Sequence, residues 1–426
     1  MRKYYQKIQN LMVSRTAKDT YILFIGNAAS AFLGFLFTIL VARNVSVSDF
    51  GIFSAINNLV IIIASVADIG FSTALVNFVA GFKAKGELEE AKKYLKAALI
   101  LRIAATTFFI LPVLIFPKFI SLKFLASESG IFSFWVAALS IGILFSSFFP
   151  IAIQAYSRFA ASIFSDLSLG VSRTLIVFII IVFSGLTIEG ALTSFFLGTV
   201  IAAGVGFSLI GGDFLKERVS KGIYLTIARF AGWIGVAKVV GAIAGKLDVT
   251  MLAVFAGATA TGLYSIPSRV ASFVLIIASS FSQVLAPRLA SYQDREKEKA
   301  YIVKATLALI PISLGFVFWI VFAKPFILVL FGEKYISSVP IFQALTAAMI
   351  PFFLATPAST AVIYSLKKPV FIGIYSIFQL IAIFALNLFL IPKYGVYAPT
   401  LSFAFVNVVL CLFVWTICFK HYFSMK

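Results

Sequence analysis

Four ionisable side chains, Lys238, Lys246, Asp248 and Arg269, stand within one otherwise apolar stretch, residues 238–270 (KVVGAIAGKLDVTMLAVFAGATATGLYSIPSRV). Three of them are cationic. A charge at the centre of a bilayer costs about 2.5–3.5 kcal/mol on insertion scales, so one that does not reach back to the interface faces a polar cavity and has a task there. A mostly positive group suits an anionic ligand, held by charge-assisted hydrogen bonds.

A second polar set is repeated. Gly51-Ile-Phe-Ser-Ala-Ile-Asn returns 211 positions later as Gly262-Leu-Tyr-Ser-Ile-Pro-Ser. After the first copy, Ser54, Asn58, Ser65, Asp68 and Ser72 fall on one face of a helix. After the second, Ser265, Arg269, Ser272, Ser279 and Gln283 do the same. Asn58 matches Arg269, and Asp68 matches Ser279. Two equivalent stripes imply a wet cavity; the alternative is polar glue between helices. Asp68 and Arg269 are costly as glue, which favours the cavity.

In the stretch that holds Lys238, an ideal helix puts Lys246 and Asp248 about 80° to either side of that lysine. A straight helix cannot aim both at one narrow site. Lys238 shares its face with Gly241, Ala242 and Gly245 and is assigned to the cavity with Arg269. Lys246 either joins them or snorkels outward. Asp248 either pairs with a neighbouring cation or, like Asp68, holds a coupling ion. Arg102 and Arg173 are expected to snorkel.

The elements that must position these residues are set by composition. Hydrophobic residues make up 61% of the chain, charged residues 12%, and mean hydropathy is +1.06. No soluble chain of 426 residues buries that much apolar surface, so the solvent is lipid and the fold is all-α. Apolar runs long enough to span recur near 21–42, 51–80, 97–116, 131–156, 163–183 and 187–210. They continue near 230–255, 262–285, 303–322, 339–364, 370–391 and 399–419. Twelve transmembrane helices are therefore expected. The repeat divides them into two six-helix lobes, residues 1–210 and 211–426. Six is even, so the lobes insert the same way up, related by a pseudo-twofold along the membrane normal. Residues 1–18 read as an amphipathic helix on anionic membrane lipids.

Lysine and arginine crowd one side: the N-terminus, 83–96, Arg158, 216–229, 288–304, Lys367, Lys368 and the C-terminus. The other side holds Arg43, Lys118, Lys123, Lys324, Lys334 and Lys393. The positive-inside rule makes this a multi-pass protein of the cell membrane with both termini cytoplasmic. The net charge of +19 is largely this topological signal, so no nucleic-acid partner is inferred. Cys411 and Cys418 are too far apart on one helix to bond, and the lone His421 makes no metal site. No Walker A, HExxH, CxxC or GxSxG motif stands at a plausible place. The chain is read as a transporter without cofactor, not an enzyme.

Residues 67–76 (ADIGFSTALV), 247–252 (LDVTML), 262–265 (GLYS), 286–290 (APRLA) and 330–335 (LFGEKY) carry a family likeness. The whole chain resembles the polysaccharide (O-antigen type) flippases of the multidrug/oligosaccharidyl-lipid/polysaccharide exporter superfamily. Asn77 stands where such proteins often have arginine. The resemblance implies a substrate: an oligosaccharide repeat unit on a polyprenyl (undecaprenyl) pyrophosphate carrier, moved to the outer leaflet by alternating access. Lys238 and Arg269 would hold the pyrophosphate and the polar stripes the sugar, with a polysaccharide polymerase as partner. A charge moved through 100 mV is worth about 2.3 kcal/mol, so potential alone suffices as a drive, with H+ or Na+ coupling through Asp68 or Asp248 as an addition. The alternatives are a multidrug cation antiporter of the same superfamily, which a positive cavity disfavours, and a lipid II-type flippase, which usually carries two further spans.

Overall fold

The computed structural model describes residues 15–292 and 294–423. The first fourteen residues of the expected surface helix lie outside them. The described chain is helical, with no strand. In order the helices are α1 (Arg15–Asn44), α2 (Val47–Asp68), α3 (Phe71–Lys85), α4 (Leu88–Ile115), α5 (Pro117–Phe124), α6 (Ile131–Ala155), α7 (Phe159–Ser184) and α8 (Ile188–Ile210). Then come α9 (Lys221–Ala244), α10 (Leu247–Phe255), α11 (Gly257–Ser291), α12 (Arg295–Val321), α13 (Ala323–Phe331), α14 (Ser338–Tyr364), α15 (Pro369–Tyr394) and α16 (Ala398–Cys418).

Ten stretches among the described residues are long and apolar enough to cross a bilayer. The protein is thus a multi-pass membrane protein. Two features separate this count from the twelve runs expected. Helices α15 and α16 follow one another through the tight turn Gly395–Tyr397 and form one stretch. The seventh run is broken at Gly245 and Lys246 into α9 and the nine-residue α10, and neither is among the ten.

The chain gathers into two compact units. The first comprises Met1–Ser46, Ile56–Leu122 and Ser127–Ala242; the second comprises Val47–Ala55, Lys123–Ala126 and Ile243–Lys426. The sequence suggests a division after residue 210, whereas here α9 up to Ala242 is grouped with the first unit. The packing gives the reason. Ile227 and Ala231 of α9 are buried in one core with Phe71, Leu75, Leu95, Phe148 and Ala152. The Phe230 ring meets Phe78 of α3 edge-on at 5.2 Å. Burying such side chains contributes about 1.5–3 kcal/mol apiece by area.

In the second unit Val249, Leu252, Tyr264, Phe316, Phe353 and Ile391 form one core. Leu289, Ile302, Ala358, Val414 and Tyr422 belong to another. A proline inside an apolar helix leaves an identifiable mark. Pro267 cannot donate to the Leu263 carbonyl one turn earlier, and Ser338 Oγ donates to it instead at 2.8 Å. In lipid no water completes such a group, so a neighbouring helix must. Helix α14 is tied to α16 by Asn407 Nδ2, which donates to the Ala348 carbonyl at 2.9 Å, and Trp415 Nε1, which donates to that of Leu354 at 3.2 Å.

The two repeated glycines meet. A Cβ on Gly51 would lie 1.8 Å from the carbonyl oxygen of Ala258, and one on Gly262 would lie 2.1 Å from that of Val47. Each partner is the residue four before the other glycine. Helices α2 and α11 therefore cross backbone to backbone, as small residues allow in membranes. Phe50 and Phe53 beside the crossing are fully buried, and Phe50 packs edge-on against Tyr335.

Candidate functional site

Helix α2 ends at Asp68 because the next two residues turn left-handed: Ile69 has φ 36° and Gly70 φ 80°. For a β-branched residue such a φ is strained by roughly 1–3 kcal/mol, and the surroundings must hold it. Asp68 does part of this work. Its Oδ1 accepts from the backbone N–H of Ser72 at 3.1 Å and from Ser72 Oγ at 2.5 Å, capping the first turn of α3. Arg102 of α4 faces the same oxygen, with Nε at 3.6 Å, and its Nη2 donates to Ser147 Oγ at 2.9 Å. The guanidinium also lies over the Phe148 ring at 5.8 Å.

The expectation that Arg102 snorkels is therefore corrected: it is 5% exposed and faces the first acid of the repeat. Pairing across helices removes the reason to reach for the interface.

The break also shapes the neighbouring helix. A Cβ at Gly70 would lie 3.0 Å from the Ala231 carbonyl oxygen, and one at Gly235 would lie 2.3 Å from that of Ile69. Helix α9 thus passes the kink at backbone contact. One turn past Gly235, Lys238 Nζ donates to Thr73 Oγ1 at 2.6 Å. Among the described residues no carboxylate lies within ion-pair distance of Lys238.

The second unit carries the other charges of the opening stretch. Lys246 sits at the break before α10 and Asp248 in its first turn, where the helix dipole favours an anion. Asp248 is 2% exposed; its Oδ2 accepts from Tyr264 Oη at 2.8 Å, while Oδ1 is buried with no hydrogen-bond donor. Lys246 lies within electrostatic reach of both Asp248 and Arg269. Lys246, at the break that ends the straight run of α9, is thus the residue near both Asp248 and Arg269.

The stripes divide by depth. Ser54, Asn58 and Ser265 are buried, and Ser265 Oγ donates within its own helix to the Thr261 carbonyl at 2.7 Å. Ser65, Asp68, Ser72 and Arg269 are half-buried. Ser272, Ser279 and Gln283 are exposed along one face of α11. Ser272 Oγ donates to the Arg269 carbonyl at 2.5 Å. The kink at Ile69 has no counterpart in α11, which runs unbroken from Gly257 to Ser291; Phe281 stands where Gly70 would be matched.

Two polar contacts in the first unit escaped the sequence reading. Asp166 of α7 accepts from Ser30 Oγ of α1 at 2.5 Å. Seven residues on, the guanidinium of Arg173 lies between the rings of Phe37 at 4.9 Å and Phe195 at 5.2 Å. Arg173 therefore does not simply snorkel: two aromatic faces attract its charge. The available signal was Ser162, Asp166, Gly170 and Arg173, which recur on one helix face.

Solved structures of membrane transporters share this all-helical architecture. A multidrug resistance MATE family transporter of the MOP superfamily, in an inward-facing conformation, superposes with a TM-score of 0.70 over 91% of this chain and 93% of its own, at 14% identity. The lipid II flippase MurJ, in an inward closed conformation, gives 0.73 over 93% and 87%, at 16% identity. The family model described as polysaccharide biosynthesis protein matches residues 16–293. A probable low-salt glycan biosynthesis flippase of Haloferax volcanii, Agl15, is 23% identical over 92% of this chain and 82% of its own length. The chain belongs to the polysaccharide biosynthesis protein family, and it shares its fold with these transporters.

Proposed function

We propose that this protein moves an oligosaccharide repeat unit, linked to a polyprenyl pyrophosphate carrier, from the inner to the outer leaflet of the cell membrane by alternating access. The observation that carries the reading is Lys238 of the first unit, an ammonium that meets a hydroxyl and no carboxylate among the described residues. In the first, Asp68 already faces Arg102, and Lys238 meets the neutral Thr73. In the second, Lys246 lies within electrostatic reach of Arg269 as well as of Asp248. Diphosphate oxygens are the natural partners of such donors, at about twice the strength of neutral hydrogen bonds. The exposed Ser272, Ser279 and Gln283 offer hydroxyl and amide groups to sugar. Organic cations would be repelled, which argues against drug efflux. Family membership supports a role in polysaccharide biosynthesis, and the distribution of lysine and arginine supports cytoplasmic termini.

Of the two acids, Asp248 is the better coupling residue for H+ or Na+. Its Oδ1 is buried without a donor, whereas Asp68 is engaged by Arg102 and Ser72. Translocation of a dye-labelled lipid-linked oligosaccharide in proteoliposomes tests the reading. Lys238→Ala and Arg269→Ala, each inserted at normal levels, should lose most of the rate; undiminished rates in both would sink it.

A further inference from the structure

We propose that Arg102 is a positioning residue for Lys238, acting through Asp68 and the broken helix without touching substrate; this rests on Lys238 as a diphosphate contact. Arg102 is too deeply buried to meet a ligand, and Nη1 has no protein partner. Its positive charge faces Asp68 Oδ1 at 3.6 Å, and that oxygen caps α3 through Ser72. The cap fixes where α3 restarts, two left-handed residues after α2 stops. Those two residues present the Ile69 carbonyl and the Gly70 Cα to α9, which is admitted because residue 235 is glycine. Gly235 in turn sets the register that places Lys238 Nζ 2.6 Å from Thr73 Oγ1, in the same first turns of α3 that Asp68 caps.

The links are consecutive and lie within one unit. A charge on α4, itself inaccessible, thereby decides where an exposed ammonium on α9 stands. Loss of the charge releases the cap, lets residues 68–71 relax toward ordinary helix, and moves the α9 contact surface. A ligand held by Lys238 then loses a preset donor.

The test uses the purified full chain and dye-labelled farnesyl diphosphate as probe. Arg102→Met should weaken binding about tenfold, the scale of one charge-assisted hydrogen bond. Arg102→Lys, which keeps the charge, should return it to within about threefold. A short bis-methanethiosulfonate reagent should bridge Thr73→Cys and Lys238→Cys, and the yield should fall when Arg102→Met is added. Should Arg102→Met fail to fold, the double variant Asp68→Asn/Arg102→Met, which strands no buried charge, takes its place. Unchanged probe affinity or unchanged bridging in a folded variant overturns the proposal. If Lys238→Ala binds the probe normally while bridging still depends on Arg102, the diphosphate assignment falls and the positioning stands.

Discussion

Tyr264 gives its hydroxyl hydrogen to one oxygen of Asp248 at 2.8 Å and leaves the other oxygen of that carboxylate, deep in the second unit, without a donor. An unpaired buried acceptor costs about 1–3 kcal/mol, and a charged one more. Lys246, within electrostatic reach, offsets part of this cost, and an exchangeable cation would offset more. Asp248→Asn should therefore abolish the dependence of translocation on the H+ or Na+ gradient, while Asp68→Asn keeps it. Rates measured across imposed gradients in vesicles decide this; equal gradient dependence in Asp248→Asn and the unaltered protein would exclude Asp248.

The Asp68–Arg102 pair makes a prediction about stability. Arg102→Ala leaves a carboxylate facing apolar surroundings and should destabilise by about 3–5 kcal/mol, the cost of breaking a buried pair from one side. Asp68→Asn/Arg102→Met together should recover much of that loss. Thermal unfolding in detergent, followed by tryptophan fluorescence, ranks the three proteins.

The glycine crossing predicts opposite outcomes for one chemical change. Gly51→Ala places a methyl where a carbonyl already is and should cost about 1–3 kcal/mol through overpacking. Gly315 lies exposed in α12 with nothing within 4 Å of an added Cβ. Gly315→Ala should be neutral or stabilising by up to about 1 kcal/mol. Equal shifts in melting temperature would contradict the crossing.

A polar clasp holds the end of the described chain. Tyr422 Oη donates to Glu298 Oε2 at 3.0 Å and lies 2.5 Å from Ser365 Oγ, which donates to the same carboxylate at 2.7 Å. Tyr422→Phe removes a hydrogen bond to a charged group and should cost about 1.5–3 kcal/mol. Limited proteolysis should then cut the C-terminal segment faster; an unchanged cutting rate would show that the apolar contacts of Tyr422 suffice.

Much of this was legible beforehand, and what was missed has a common cause. Hydropathy pointed to the all-helical membrane fold because lipid admits only helices or closed barrels, and apolar runs of about twenty residues select helices. The family likeness in residues 67–76 and 247–252 was also readable. The breaks at Ile69–Gly70 and at Gly245–Lys246 each contain a glycine within two residues of a charged one, a turn signal outweighed by the apolar runs around it. Arg102 was misread because its partner is on another helix, and periodicity reports only which face a residue occupies. Asp248 and Tyr264 were seen separately, but their contact depends on how α10 meets α11.

The reciprocal contact of Gly51 and Gly262 ties the two positions to one another, since each stands against a backbone oxygen of the other's helix. A side chain gained at residue 51 must therefore be answered by a change opposite it, near 258–262.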